Sequence, residues 1–305
     1  MKIAYAFRRG TFYPFVAGEG WALPGGDTRT RYLRHVKDIG FYGIELGLDS
    51  FGGIEAKNGE AVEFAKELAD AGVPCVVIRA GGGLCQPNVA DRSRRRLEKA
   101  IEVAGAIGAE IVNTALSTPP RNRTMGSTQV GMSSAPGSSQ MATEEDFMRT
   151  AAVLNEVGEL AGASGVSITI EVHQHSIADN SWSALHLLDL TDSPHVSANP
   201  DLGNIYWNYD VPEESSEEAI VALAPRSKYW HCKNLHRVYI PENEHSIFVR
   251  VPLPDGDIDY RFAINAMQDA GYDGYLAIEG ANLGDQLHAD RRSVEYVQGI
   301  LAEPR

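Results

Sequence analysis

Four apolar runs in the second half of the sequence each lead into a residue that can bind a metal ion. These residues are Glu171, Asp201, His231 and Glu279. Taken singly, each is more simply explained as a turn, cap or packing residue. Together they offer three carboxylates and one imidazole, and three converging carboxylates would repel one another unless a cation lay between them. Such donors suit Mn²⁺, Mg²⁺, Co²⁺ or Zn²⁺, and the residue types do not choose among these ions.

The first of these runs, ITIEVHQHS at residues 168–176, adds two histidines to the carboxylate of Glu171. Successive side chains of a strand point to opposite faces, so Glu171 and His173 would point the same way. His173 is therefore a candidate base or hydrogen-bond donor beside the metal. A structural role, in which it orients Glu171 or caps the strand, is the alternative. His175 follows the strand end, and we expect it to lie outside the site.

Strand-like apolar runs alternate with helical patterns along the whole chain. Predicted strands cover residues 2–7, 42–47, 73–79, 109–115, 166–172, 195–201, 227–233 and 274–279. Phrases such as DIGFYGIEL and DAGYDGYLAIE repeat the order helix, glycine, strand, in which the glycine ends a helix. Eight strands alternating with about eight helices predict an α/β fold, a single (β/α)₈ TIM barrel. A doubly wound sheet is the rival, but no glycine-rich dinucleotide motif follows the first strand.

The barrel prediction gathers the four candidate ligands, because TIM-barrel active sites lie at the carboxyl ends of the strands. The four residues end the fifth to eighth predicted strands, so we expect them to converge. Long loops after strands 4 and 7, residues 116–142 and 234–257, would open on the same face. The first is rich in Ser, Gly, Pro and Met and is expected to be a lid, a partner surface or a mobile segment. No break in composition marks a second domain, so residues 1–305 are predicted to form one.

Composition narrows the class of protein. The 305 residues are 43% hydrophobic and 22% charged, as in ordinary globular proteins. The net charge of −14 opposes binding to nucleic acid, and no apolar run approaches the roughly 18–20 residues that cross a membrane. Three widely spaced cysteines indicate a reducing compartment, and Arg8 and Arg9 interrupt the apolar start too early for a secretory signal. A cytoplasmic protein without a membrane segment is therefore expected.

The chain resembles the xylose isomerase-like barrel superfamily, the sugar isomerase/epimerase group, over essentially its whole length. The resemblance rests on the motifs IEVHQH, NPDLGN, WHCKN, PDGDIDY and YLAIEG. It implies that Glu171, Asp201, His231 and Glu279 bind one divalent metal, with Mn²⁺ as the first expectation. It also implies proton removal from the carbon next to the carbonyl of a keto sugar, with Glu171 and Glu279 as acid and base. The motifs are specific for the fold and the metal site rather than for the substrate.

Two further residues are candidates for substrate binding, and a third position departs from the family pattern. Lys233, two positions after His231, could hold a substrate oxygen. Arg8, just after the first strand, could touch an anionic or hydroxyl-rich ligand. Asn234 occupies a position at which many relatives carry Asp, and this puts a proton relay through that position in doubt.

The resemblance leaves more than one activity open. The alternative to an isomerase or epimerase is a lyase, since the group includes large subunits of C-glycoside deglycosidases, which cleave 3-oxo-C-glycosides with a small partner subunit. The FRR opening, the loop 116–142 and His173 keep this alternative open. The net charge of −14 argues against a DNA endonuclease. The complete set of candidate metal ligands argues against a sugar-binding barrel without catalytic activity. Expected partners are a small carbohydrate or oxo-glycoside substrate and either copies of this chain or a small subunit.

Overall fold

The fold is seen in a computed structural model that describes most of the chain. The described residues are 1–7, 11–12, 16–17, 23–85, 87–116, 138–207, 212–281 and 284–304. Arg8, predicted to bind substrate, lies outside them. Most of the predicted loop 116–142 also lies outside, so the predictions for Arg8 and for this loop stay predictions.

Eight parallel strands form the centre of the molecule. They are β1 Lys2–Ala6, β2 Gly43–Gly47, β3 Cys75–Arg79, β4 Ile111–Ala115, β5 Ser167–Glu171, β6 Val196–Asn199, β7 Tyr229–Cys232 and β8 Tyr275–Ile278. Neighbouring strands pair in the order β6-β5-β4-β3-β2-β1-β8-β7. A parallel bridge between Ala198 and Ser227 then brings β6 against the residues that lead into β7. This ring confirms the predicted (β/α)₈ barrel; that residues 1–305 form a single domain stays a prediction.

Helices surround the strands. They are α1 Gly26–Ile39, α2 Asn58–Asp70, α3 Pro87–Ile107, α4 Glu144–Ala163, α5 Ser181–Asp189, α6 Leu202–Tyr206, α7 Ser216–Leu223, α8 Tyr260–Asp269 and α9 Gln286–Leu301. The first shows why they form where they do. Leu33 and Val36 share its buried face, and Gly40, at φ 112°, ends it in the left-handed conformation that favours glycine. Within the described ranges, none of the helices is both long and apolar enough to span a membrane.

Side chains of the strands alternate between the inside of the barrel and the layer under the helices. On β5, Ile168 and Ile170 belong to the large apolar core, whereas Thr169 and Glu171 have the opposite parity and carry polar groups. On β7, Tyr229 belongs to a second, smaller apolar cluster with residues of β1 and β8 such as Ala4 and Ala277. A period of two therefore places the polar strand ends on the inner face of the barrel.

The connection after β7 is folded rather than irregular. Residues Asn234–Ile240 and His245–Val251 pair as an antiparallel hairpin, in which Asn234 lies opposite Val251 and Leu235 opposite Arg250. We call this segment the β7 hairpin. Most of the predicted long loop 234–257 is thus a two-stranded ribbon at the carboxyl end of the barrel.

Candidate metal centre

Strand parity carries three of the four candidate ligands to one place. Glu171 is the last residue of β5, His231 lies within β7, and Glu279 directly follows β8. Each has the inward parity of its strand. Asp201 reaches the site differently: it lies two residues beyond β6 and caps α6, where its Oδ1 accepts a hydrogen bond of 3.1 Å from the backbone N–H of Asn204.

The structure brings all four residues together. One donor atom from each lies within 4.8 Å of the others, and all four side chains are buried. The Nδ1 atom of His231 lies 3.4 Å from Oε1 of Glu171, 3.7 Å from Oδ2 of Asp201 and 3.5 Å from Oε1 of Glu279. Three acidic oxygens thus surround one nitrogen.

That nitrogen provides the test of whether a metal ion fits. Nδ1 of His231 is fully buried and makes no hydrogen bond to any residue in the described part of the chain. A buried polar atom left without a partner costs about 1–3 kcal/mol. A cation between the nitrogen and the three carboxylates would satisfy all four groups, and one imidazole with three carboxylates suits a small divalent ion. The four residues could therefore hold a divalent metal ion.

Glu45, on β2, fixes the orientation of the His231 ring by binding the ring nitrogen that faces away from the candidate ligands. Its Oε2 lies 2.6 Å from Nε2 of His231 and accepts a 2.5 Å hydrogen bond from the hydroxyl of Tyr229. Its Oε1 accepts a 2.9 Å hydrogen bond from Arg79. Because a carboxylate only accepts, Nε2 carries a proton, and Nδ1 is the nitrogen that faces the acidic cluster and could bind a metal ion. Glu45 was not among the predicted site residues, although its inward parity in YGIELG was an available signal.

The electrostatics of the cluster favour a positive charge at its centre. Burial opposes the charge on His231, but Glu45 and Glu171 outweigh it and raise the pKa of His231 to about 10. Burial also acts on Glu171, yet the charge of His231, 3.4 Å away, holds the pKa of Glu171 well below the usual range. Burial raises the pKa of Asp201, despite Lys233 nearby. Without a metal ion, these carboxylates favour a second proton on His231, at the Nδ1 atom that would otherwise bind the cation.

Amide side chains bind carboxylate oxygens of two candidate ligands. Nδ2 of Asn113, on β4, donates to Oε2 of Glu171 at 2.8 Å. Nδ2 of Asn204 is 3.2 Å from Oε1 of Glu171 and 2.9 Å from Oδ2 of Asp201. These contacts fix the carboxylates without adding charge. Neither asparagine was predicted; Asn113 has the inward parity of β4, but parity alone does not reveal which carboxylate it meets.

Lys233 lies between two of the carboxylates. Its Nζ is 2.6 Å from Oδ2 of Asp201 and 3.0 Å from Oε2 of Glu279, and the residue is 2% exposed. Gly203 makes room for it, because a Cβ there would come within 2.3 Å of the Lys233 Cγ. The ammonium therefore neutralises part of the acidic cluster. Its predicted role in binding a substrate oxygen stays a prediction.

A family model described as xylose isomerase-like TIM barrel matches residues 33–298. The chain belongs to the xylose isomerase-like TIM barrel family. The resemblance identified from the sequence motifs is thereby confirmed.

Individual relatives of this xylose isomerase-like barrel agree with the family match. L-ribulose-5-phosphate 3-epimerase UlaE of Salmonella paratyphi A is 24% identical over 261 residues, which are 85% of this chain and 84% of that protein. A xylose isomerase-like TIM barrel protein of Mycobacterium smegmatis, solved in complex with magnesium, matches with a TM-score of 0.77, 20% identity and coverage of 98% and 96%. D-psicose 3-epimerase of Clostridium cellulolyticum H10, solved with D-tagatose, matches with a TM-score of 0.67 and 16% identity, and the match covers 99% of this chain and 98% of that one. The two structures establish a shared fold.

His173 lies beside the acidic cluster of this xylose isomerase-like barrel. It is half-buried, and its Nδ1 is 2.8 Å from the backbone carbonyl of Gln174. A carbonyl only accepts, so Nδ1 carries the proton and Nε2 keeps a lone pair, which is the tautomer that a general base needs. His175 has a φ of 57° in the turn after β5. The roles predicted for both histidines stay predictions.

The side-chain amide of Asn234 binds backbone groups at the start of the β7 hairpin and beyond its end. Its Nδ2 donates to the carbonyls of Leu253 at 2.8 Å and Ile258 at 2.9 Å, while its Oδ1 accepts from the N–H groups of Leu235 and Ile258. A Cβ on Gly256 would come within 2.2 Å of the Asn234 Oδ1, so glycine permits this close packing. An aspartate cannot make the two donated bonds. In this chain the position therefore ties the base of the β7 hairpin to the residues before α8.

Proposed function

We propose that this protein is a divalent-metal-dependent carbohydrate enzyme that removes a proton next to the carbonyl of a keto sugar, as a sugar isomerase or epimerase does. The observation that carries the proposal is the buried group of Glu171, Asp201, His231 and Glu279, in which Nδ1 of the histidine makes no hydrogen bond to a described residue. The relatives named as ribulose-phosphate and psicose epimerases support it.

The four clustered residues would hold the ion, with Mn²⁺ as the first expectation. When bound, the ion would polarise the substrate carbonyl and stabilise the negative charge that develops on its oxygen. Each carboxylate also has an oxygen turned away from the centre. Oε2 of Glu171 is held by Asn113, and Oε2 of Glu279 by Lys233. These contacts keep both side chains fixed while substrate binds and leaves.

Epimerisation needs one group to take a proton from one face of a carbon and another to return a proton to the opposite face. Glu171 on β5 and Glu279 after β8 approach the centre from different sides of the ring of strands. They are therefore our candidates for the acid and the base. Nε2 of His173 is the third candidate, because its lone pair is preserved by the contact of Nδ1 with the Gln174 carbonyl.

The test is proton exchange. Metal-loaded protein is incubated in D₂O with a panel of free and phosphorylated ketoses, and carbon-bound deuterium and new sugars are followed by proton NMR. We expect deuterium at one carbon and a new epimer or isomer, both lost when the metal is stripped and restored on its return. Turnover at an undiminished rate by the stripped protein would refute the metal dependence, and absence of exchange over the whole panel would refute the keto-sugar assignment.

A lyase acting on 3-oxo-C-glycosides would use the same proton removal and is the second candidate. One feature favours a protein partner at the mouth, as that activity requires: the outer face of the β7 hairpin exposes Val238 and Ile247 to 53% and 49%. The same NMR experiment separates the two candidates. Release of the aglycone from a 3-oxo-C-glycoside supports the lyase, whereas exchange into ketoses alone supports the isomerase or epimerase.

A further inference from the structure

The β7 hairpin places a second cation at the candidate metal centre. Arg250 lies opposite Leu235 in the hairpin, and Leu235 is fully buried, so this face of the ribbon turns towards the barrel. Nη2 of Arg250 is 3.5 Å from Oε2 of Glu279, and the Arg250 side chain is 19% exposed. The guanidinium therefore lies at the edge of the cluster, where a bound sugar could reach it.

Trp207 forms the neighbouring wall. It follows α6, the helix that Asp201 caps, so the same short helix positions a candidate ligand and the indole. The Arg250 guanidinium lies 4.9 Å from the Trp207 ring centroid, and Nζ of Lys233 lies 5.3 Å from it. Nε1 of Trp207 is buried and donates no hydrogen bond to any described residue. A buried donor without a partner is what a ligand oxygen would satisfy.

Charges decide what kind of ligand fits beside Arg250. The three carboxylates of the cluster carry −3, and Lys233 and Arg250 together carry +2. The pair of Glu45 and Arg79 behind the cluster is neutral as a whole. With a divalent ion, the charges of these described residues sum to +1, which one anionic group on the substrate would neutralise. The planar guanidinium can bind a carboxylate or phosphate through two parallel hydrogen bonds.

We propose that Arg250 and Trp207 form a subsite for an anionic group of the sugar, a carboxylate or a phosphate, next to the metal centre. The inference rests on the proposed function for the identity of the rest of the ligand. It assigns to Arg250 the role of selecting charged over neutral sugars. Trp207 supports the guanidinium through its ring and offers its N–H to the same end of the ligand.

Binding of three matched open-chain compounds tests the proposal: D-glucitol, D-glucitol 6-phosphate and D-gluconate. Each has six carbons and lacks a ketone, so none can undergo the proposed reaction. Affinities are measured by titration calorimetry with manganese-loaded wild-type protein, Arg250→Gln, Arg250→Lys and Trp207→Phe. Arg226→Gln is the control, because Arg226 pairs with Asp189 before the start of β7.

We expect wild-type protein to bind at least one anion about 10- to 100-fold more tightly than glucitol, and Arg250→Gln to remove that preference. Arg250→Lys, which keeps the charge but not the planar fork, should retain part of it. Trp207→Phe should weaken binding of the preferred anion, and Arg226→Gln should leave the affinities for all three compounds unchanged. Preference for gluconate alone assigns a carboxylate, preference for glucitol 6-phosphate alone assigns a phosphate, and preference for both assigns an oxyanion site of either kind.

Several outcomes would overturn the subsite. They are equal binding of all three compounds by wild-type protein, binding of none of them, and equal weakening of all three by Arg250→Gln. An unchanged Mn²⁺ affinity in each variant shows that the cluster is intact. The deuterium-exchange experiment is scored separately. Metal-dependent exchange into ketoses, together with wild-type binding of both anions no tighter than that of glucitol, keeps the proposed function and rejects the subsite. An anion preference that depends on Arg250, without exchange into any ketose, keeps the subsite and rejects the proposed function.

Discussion

Replacement of Glu45 by Gln tests whether the carboxylate behind His231 serves the metal centre. The wild-type carboxylate accepts from three donors: Nε2 of His231 at 2.6 Å, the Tyr229 hydroxyl at 2.5 Å and Arg79 at 2.9 Å. Glutamine offers one oxygen and one NH₂ group. Its NH₂ must therefore face either the arginine or the tyrosine and histidine, and at least one wild-type donor loses its acceptor.

The size of the effect follows from these contacts. Carboxylates behind metal-binding histidines typically contribute about 10- to 100-fold to metal affinity, because they fix the ring and make it more basic. We expect Glu45→Gln to weaken Mn²⁺ binding by that factor. The change also removes the negative charge that pairs with Arg79, whose side chain is 19% exposed. Unfolding free energy should fall by about 3 kcal/mol, near the lower end for a broken buried ion pair.

The assay pairs titration of Mn²⁺ into stripped protein with urea unfolding of the same samples. Glu110→Gln is the matched control: Glu110 accepts a 2.5 Å hydrogen bond from the Tyr275 hydroxyl at the opposite end of the barrel. It should leave Mn²⁺ affinity unchanged. If Glu45→Gln lowered stability while Mn²⁺ affinity stayed within about twofold of wild type, the account of Glu45 as support for a metal-binding His231 would be refuted.

Three further outcomes are expected. Glu171→Gln, Asp201→Asn and Glu279→Gln should each abolish proton exchange while circular dichroism stays native; exchange above a few per cent of wild type would exclude that residue as a ligand. His173→Ala should slow exchange by about 10²–10⁴-fold if His173 is the base, and a loss below about threefold would return it to a structural role. Asn234→Asp should lower the urea-unfolding free energy by about 2 kcal/mol, because an oxygen would then face two backbone carbonyls, and unchanged stability would contradict that assignment.

The candidate ligands could be read from the sequence because their positions follow a local rule. Glu171, His231 and Glu279 lie at strand ends, and strand parity sets the face on which each side chain lies. Asp201 is the second residue after the end of β6 and caps a helix, yet the motif NPDLGN still indicated a carboxylate at a strand end. Parallel strands in a closed ring carry such ends to the same mouth, so the barrel prediction was enough to expect their meeting.

The supporting contacts could not be read in this way, because they join residues that are distant in sequence. Glu45 meets His231 across 186 positions, and Asn113 meets Glu171 across 58. Arg250 reaches Glu279 only because residues 234–251 fold into a hairpin that the sequence analysis took for a loop. The sequence by itself therefore determined the barrel and the chemistry of its four strand-end donors. Closure of the barrel and the register of the hairpin decided which buried charges and amides surround those donors, since these contacts depend on side-chain packing across the ring.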